Sequence, residues 1–267
     1  MTEAAASAAR GVHTQPRRYR DEGRTVRVPL MPDHLTGLNE AVRDLYEAFA
    51  SRSRRAAIEF DACDHCVSPQ EARALARTPL QEISAEVLST FMLDAISWTW
   101  GTPDDLWYYL PRILELVATG GLNSYDLWSL FPVMGQHWRD WPPEQQDAVS
   151  AYLSALCQAT IKGYWHPGNL SVLEVLEAAG NLGLPADSYL RMWENDLGEP
   201  AALHLAWLIR SRPSPDAEWS REVDRWLSGP APRSLLGQAL ATASTPEVAT
   251  TLSVALATIN PEDAERA

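Results

Sequence analysis

The stretch TPDDLWYYLPRILELV, Thr102 to Val117, decides the fold class. A threonine hydroxyl followed by proline is a helix start. The hydroxyl accepts an orphan N–H of the first turn, and proline at the first helical position gives up a donor that had no intrahelical partner. Asp105 falls at the third helical position, where a carboxylate suits the helix dipole. The same Ser/Thr-Pro signal stands at Ser68-Pro69, Thr78-Pro79, Ser214-Pro215 and Thr245-Pro246. Ser68 has Glu71 three residues on, a capping box, and around Ser84 the pair Ile83 and Leu88 sits as a hydrophobic staple.

Apolar faces of helical period follow these starts. Leu35, Leu38, Val42, Leu45, Tyr46 and Phe49 form the first. Leu88, Phe91, Met92, Ala95 and Ile96 form another, and Val149, Tyr152, Leu153, Leu156, Thr160 and Tyr164 a third. Further faces carry Tyr189, Leu190 and Trp193, then Leu203, Trp207 and Leu208, then Trp219, Val223 and Trp226. Gly120, Gly180, Gly198 and Gly229 stand where left-handed C-caps are expected. No strand of alternating period is evident. The expected fold is all-α, with roughly ten to twelve helices joined by short loops in antiparallel hairpins, a short α-solenoid being one way to stack them. The Arg-rich, pattern-free residues 1–32 read as a disordered tail and 261–267 as a second one. Residues 33–260 read as a single domain, with lobes 33–166 and 167–260 as the alternative division.

Within the opening stretch, DLWYYLPRIL from Asp105 is echoed by DLWSLFPVMG from Asp126, 21 residues later. That interval holds one helix of about 25 Å and a turn, whereas helical-hairpin solenoids repeat at roughly 33–47 residues. The echo is therefore read as two core helices, each with an internal proline (Pro111, Pro132) that removes a hydrogen bond and favours a kink. The competing reading is a paired ligand platform from Trp107 and Trp128.

Composition narrows the function classes. Hydrophobic residues make up 46% of the 267, enough for a large core. The formal net charge of −13 argues against a nucleic-acid or anionic-membrane role. Residues 1–30 alone lean basic, with six Arg against three Asp or Glu. No apolar run approaches the roughly 18 residues of a membrane span, and Arg17–Arg20 leads into no apolar export segment. Three cysteines cannot make a secreted disulfide scaffold. The expectation is a soluble, cytoplasmic, acidic protein. Lys162 as the sole lysine, with abundant alanine, points to a GC-rich bacterial genome.

Cys63-Asp64-His65-Cys66 is the local cluster with chemical potential. Cys63, His65 and Cys66 can ligate zinc, which wants four ligands; His34, Asp61, His137 and His166 are the donors that could complete the set. As a dithiol, Cys66 stands two residues before the capped start at Ser68, where helix N–H groups lower a thiol pKa. The third reading is that the pair is structural. Cys157 and His204 sit on apolar faces and read as core residues. His137, Trp138 and Trp141, with Trp165 and His166, either line a groove or plug helix ends. Asp104-Asp105 and Glu194/Asp196 are explained by helix ends and solvation. No phosphate loop, zinc-helix motif or nucleophile elbow occurs, so no catalytic residue and no cofactor is assigned, zinc remaining the alternative.

Four stretches, CDHCVSPQEARALARTPLQEIS, WGTPDDLWYYLPRILEL, HWRDWPPEQQDAVSAYLSAL and YLRMWENDLGEPAALHLAWLI, together resemble a family of uncharacterised bacterial all-α proteins. Its pattern is a paired-cysteine segment, a Leu-Pro-Arg-Ile-Leu-Glu-Leu helix and a Trp-x-x-Trp-Pro junction, matched here across residues 58–210. The resemblance implies an all-helical fold and no particular activity. Eleven tryptophans in a helical protein favour a non-catalytic interaction scaffold with an unidentified protein partner; the alternative is a metal-binding or thiol-redox protein built on Cys63 and Cys66.

Overall fold

A computed structural model describes residues 33–55, 67–96, 100–122, 124–163, 170–196, 198–213 and 216–259. These residues form twelve α-helices and, among them, no strand. In the first half these are α1 (Asp33–Ala48), α2 (Pro69–Arg77), α3 (Ala85–Ile96), α4 (Pro103–Ala118), α5 (Ser124–His137) and α6 (Pro143–Lys162). In the second half they are α7 (Val172–Asn181), α8 (Ala186–Glu194), α9 (Glu199–Arg210), α10 (Glu218–Leu227), α11 (Pro230–Ala241) and α12 (Pro246–Ile259). The all-α expectation holds.

The helix starts follow the chemistry of their caps. Ser68 and Thr102 each close a full capping box, with Glu71 and Asp105 reaching back to the cap N–H. Ser171 and Glu174 make a third box that lacks the serine-proline signal. Thr245 accepts from Val248 N at the start of α12. Thr78-Pro79 departs from expectation. Thr78 ends α2, Pro79 leads only a 3-10 turn over Leu80–Glu82, and α3 begins after Ser84, where the Ile83–Leu88 staple is buried. Ser214-Pro215 lies outside the described residues, as do residues 1–32 and 260–267.

Of the four glycines expected as left-handed caps, only Gly120 is one, at φ 74°. Gly198 and Gly229 instead precede α9 and α11 as N-caps with ordinary φ. Gly180 lies inside α7, and the left-handed residue there is Gly183, at φ 71°. Gly183 N–H reaches Gly180 O and Leu184 N–H reaches Ala179 O, the double closure of a Schellman end.

One cluster of buried apolar side chains runs from Leu38 on α1 to Ile259 on α12. Its largest members include Trp100, Trp107, Trp193, Tyr109 and Tyr152. Each fully buried large apolar chain contributes about 1.5–3 kcal/mol, which is why the apolar period predicted the helices. Pro111 and Pro132 lie inside α4 and α5, as the echo implied. Sequence neighbours pack together in several pairs, α3 with α4, α6 with α7 and α11 with α12 among them. The most extensive helix pair is α1 with α6, and α9 packs on α12. A strict solenoid touches only its neighbours, so these two pairings depart from one. The α1–α6 joint is sealed by Gln145, which is 1% exposed. Its Nε2 donates to Ala48 O, the last carbonyl of α1, at 3.3 Å, and its Oε1 accepts from Arg52 Nη2 at 2.9 Å.

Candidate functional site

The residues singled out by sequence divide into those the structure gathers and those outside its description. Cys63, His65, Cys66, Trp165 and His166 lie outside the described residues, as do Asp61 and the side chains of His34 and Trp128. Trp107, His137, Trp138 and Trp141 come together where α4, the end of α5 and the start of α6 meet. Trp107 stands 4.9 Å from Trp141 and 5.9 Å from His137, and Trp138 is 5.7 Å from Trp141. Phe49 closes edge-on against Trp141 at 5.5 Å. Trp107, Trp138 and Trp141 are only 1%, 7% and 5% exposed, so these rings plug helix ends and offer no open groove. In sequence a Trp-x-x-Trp-Pro turn gives the same signal whether its indoles face in or out.

Cys63 and Cys66 fall within residues 56–66, outside the described residues, and only the chain on either side is described. Upstream, Arg55 grips Asp105 with two hydrogen bonds, Nε to Oδ1 at 2.7 Å and Nη2 to Oδ2 at 2.9 Å. Burial opposes the charge of Asp105, yet the bonds from Arg55 and Thr102 prevail and hold the carboxyl below its ordinary range. Arg54 bonds the carbonyls of Ala76 and Thr78 at the end of α2 and lies over Tyr108 and Tyr109, 5.4 and 5.9 Å from their centroids. Downstream, Val67 is buried and Ser68 caps α2. Beside that cap Ser68, Gln70, Glu71, Ala74, Glu86 and Val87 line a shallow cleft of about 380 Å³. The Ser68 side chain and N–H hold Glu71 below the usual carboxylate range, which marks it as a cap. Among the described residues no group of three or more His, Cys, Asp or Glu is placed to hold a metal.

Cys157 and His204 behave as core residues. Burial pushes the Cys157 thiol up to about 12, so it is inert near neutrality. His204 is 2% exposed and bonds Gly163 O through Nε2 at 3.0 Å; burial lowers its pKa and that bond partly opposes the shift.

A second cleft, which the sequence did not flag, lies between the α7–α8 turn and α10. Gly180, Gly183, Leu184, Pro185, Glu218, Trp219 and Glu222 line it, around a volume of about 200 Å³. Its shape follows from two local facts. A Cβ on Gly180 would come within 2.2 Å of Trp219 Cδ1, so α10 can press its indole onto α7 only at a glycine. Glu222 Oε2 accepts from Ala186 N–H at 2.9 Å, which caps the first turn of α8 and ties α10 to it. Glu218, in the first turn of α10, and Glu222, one turn on, place two carboxylates on one helix face beside the half-buried indole. That Glu-Trp-x-x-Glu spacing was the available sequence signal. It was read as an ordinary amphipathic helix because solvated acids look identical in sequence.

Comparisons with known proteins find no family model, no curated protein and no solved structure that matches the chain. Among the described residues no helix is long and apolar enough to cross a membrane.

Proposed function

We propose that the protein is a non-catalytic, cytoplasmic helical scaffold that binds another protein, and that the α7–α8/α10 cleft is part of its contact surface. The observation that carries this reading is the distribution of tryptophans. Trp100, Trp107, Trp138, Trp141 and Trp193 are buried, whereas Trp207, Trp219 and Trp226 on α9 and α10 remain half-exposed. Partly exposed indoles are the side chains most often found at the energetic centre of protein interfaces. Trp226 is steadied by Glu194, whose Oε1 accepts from its Nε1 at 3.2 Å, and Trp219 by its seat on Gly180. Held side chains lose little entropy on binding. The net charge of −13 favours a partner with a basic face and disfavours nucleic acid.

The test is affinity capture from a lysate of the source organism with the wild-type chain and Trp219→Ala side by side. A protein retained by the wild type and lost by the variant, with helical circular dichroism unchanged, supports the scaffold. Identical captures would remove it. The alternative centred on Cys63 and Cys66, a zinc or thiol-redox protein, stands on the sequence alone, as does the family resemblance.

A further inference from the structure

We infer that the cleft between the α7–α8 turn and α10 receives the guanidinium of an arginine side chain presented by the partner. This rests on the scaffold reading and names what that surface recognises. Size comes first. At about 200 Å³ the cleft falls below the roughly 300–1,000 Å³ of small-molecule pockets, which leaves room for the head of one side chain. Charge comes second. Among the described residues two carboxylates, Glu218 and Glu222, line the cleft and no cationic residue does, which suits a positive occupant. Arg221, between them in sequence, is exposed and stands outside the lining, and Asp187 on α8 is engaged by Arg191.

Shape decides between arginine and lysine. The remaining wall is the Trp219 indole with Leu184, Pro185 and the bare backbone of Gly180 and Gly183. A guanidinium is flat, stacks on an indole and donates N–H groups from a rigid fork to carboxylates on either side. An ammonium is a compact, strongly hydrated point charge that gains less from a flat aromatic wall. Both walls are fixed before any ligand arrives. Trp219 is wedged against α7, and Glu222 is oriented by its bond from Ala186 N–H. That bond also offsets the positive start of α8, which would otherwise oppose a cation.

The probe is N-acetyl-arginine amide, set against the neutral isostere N-acetyl-citrulline amide. Each is titrated into the ¹⁵N-labelled full chain while the tryptophan indole N–H signals are followed, with Trp219→Phe assigning the signal of interest. The expected result is a saturable shift of the Trp219 signal with the arginine probe and none with citrulline. The double variant Glu218→Gln/Glu222→Gln should bind about fivefold more weakly or worse. Glutamine at 222 keeps an oxygen for Ala186 N–H, so the fold is retained; the citrulline comparison on the unaltered chain needs no variant at all. Equal responses to the two probes, or no saturable shift, would overturn the assignment. A partner lost with Trp219→Ala from a chain that ignores the arginine probe would sink the guanidinium and leave the scaffold standing. Arginine binding alongside captures indifferent to Trp219 would sink the scaffold reading.

Discussion

Gly180 shows how one hydrogen in place of a methyl group sets a local architecture. Glycine inside a helix costs roughly 0.5–1 kcal/mol relative to alanine, so on an open helix Gly180→Ala would stabilise. Here the new carbon would stand 2.2 Å from Trp219 Cδ1 and 2.8 Å from its Cβ. The indole cannot yield without lifting α10, so the variant should lose about 1–3 kcal/mol. Urea unfolding monitored by circular dichroism measures it, and a gain in stability would show that Trp219 is free to move. In sequence this glycine read as a helix cap. A cap glycine and a close-contact glycine carry the same letter, and the neighbour that separates them lies 39 positions away, at Trp219. Asp105 was legible in one of its roles only. The capping position followed from spacing to Thr102, while the grip of Arg55, from a segment before α2, did not.

Helices were the most legible level, because their signals are local. Caps, first-turn prolines and apolar period all act within about one turn, and they located α1, α3, α6, α8, α9 and α10 by named faces. What failed were joints between helices, which depend on partners remote in sequence. Thr78-Pro79 carried a sound start signal, yet the chain turns again at Ser84 before a helix can grow. The aromatic junction of Trp138 and Trp141 was recognised as a unit, but its direction was settled only by Phe49, just past the end of α1, and by Trp107 on α4. Gln145 is the clearest such joint. Gln145→Ala would leave Ala48 O without its donor and release Arg52 from α6. A loss of about 0.5–1.5 kcal/mol in urea unfolding is expected, since a part-buried carbonyl loses its donor. A change within experimental error would mean that water replaces the amide at no cost.

At the scale of the whole molecule, the pairing of α1 with α6 joins segments that the chain makes far apart in time. The Gln145–Ala48 bond spans 97 residues. At the roughly 5–20 residues per second of protein synthesis, α1 waits on the order of 5–20 s before α6, its most extensive partner, exists, with only α4 to pack on in the meantime. During that interval Leu38, Leu45 and Phe49, all buried in the finished protein, have no α6 to cover them. Nascent chains arrested before Pro143 should therefore be cleaved readily within α1 by a dilute protease, while chains arrested well past Lys162 should resist. Equal resistance in both would show that α1 finds earlier shelter. The long reach of α1 thus leaves its apolar face without its principal cover for most of the time the first half of the chain is being made, and the birth of α6 ends that exposure.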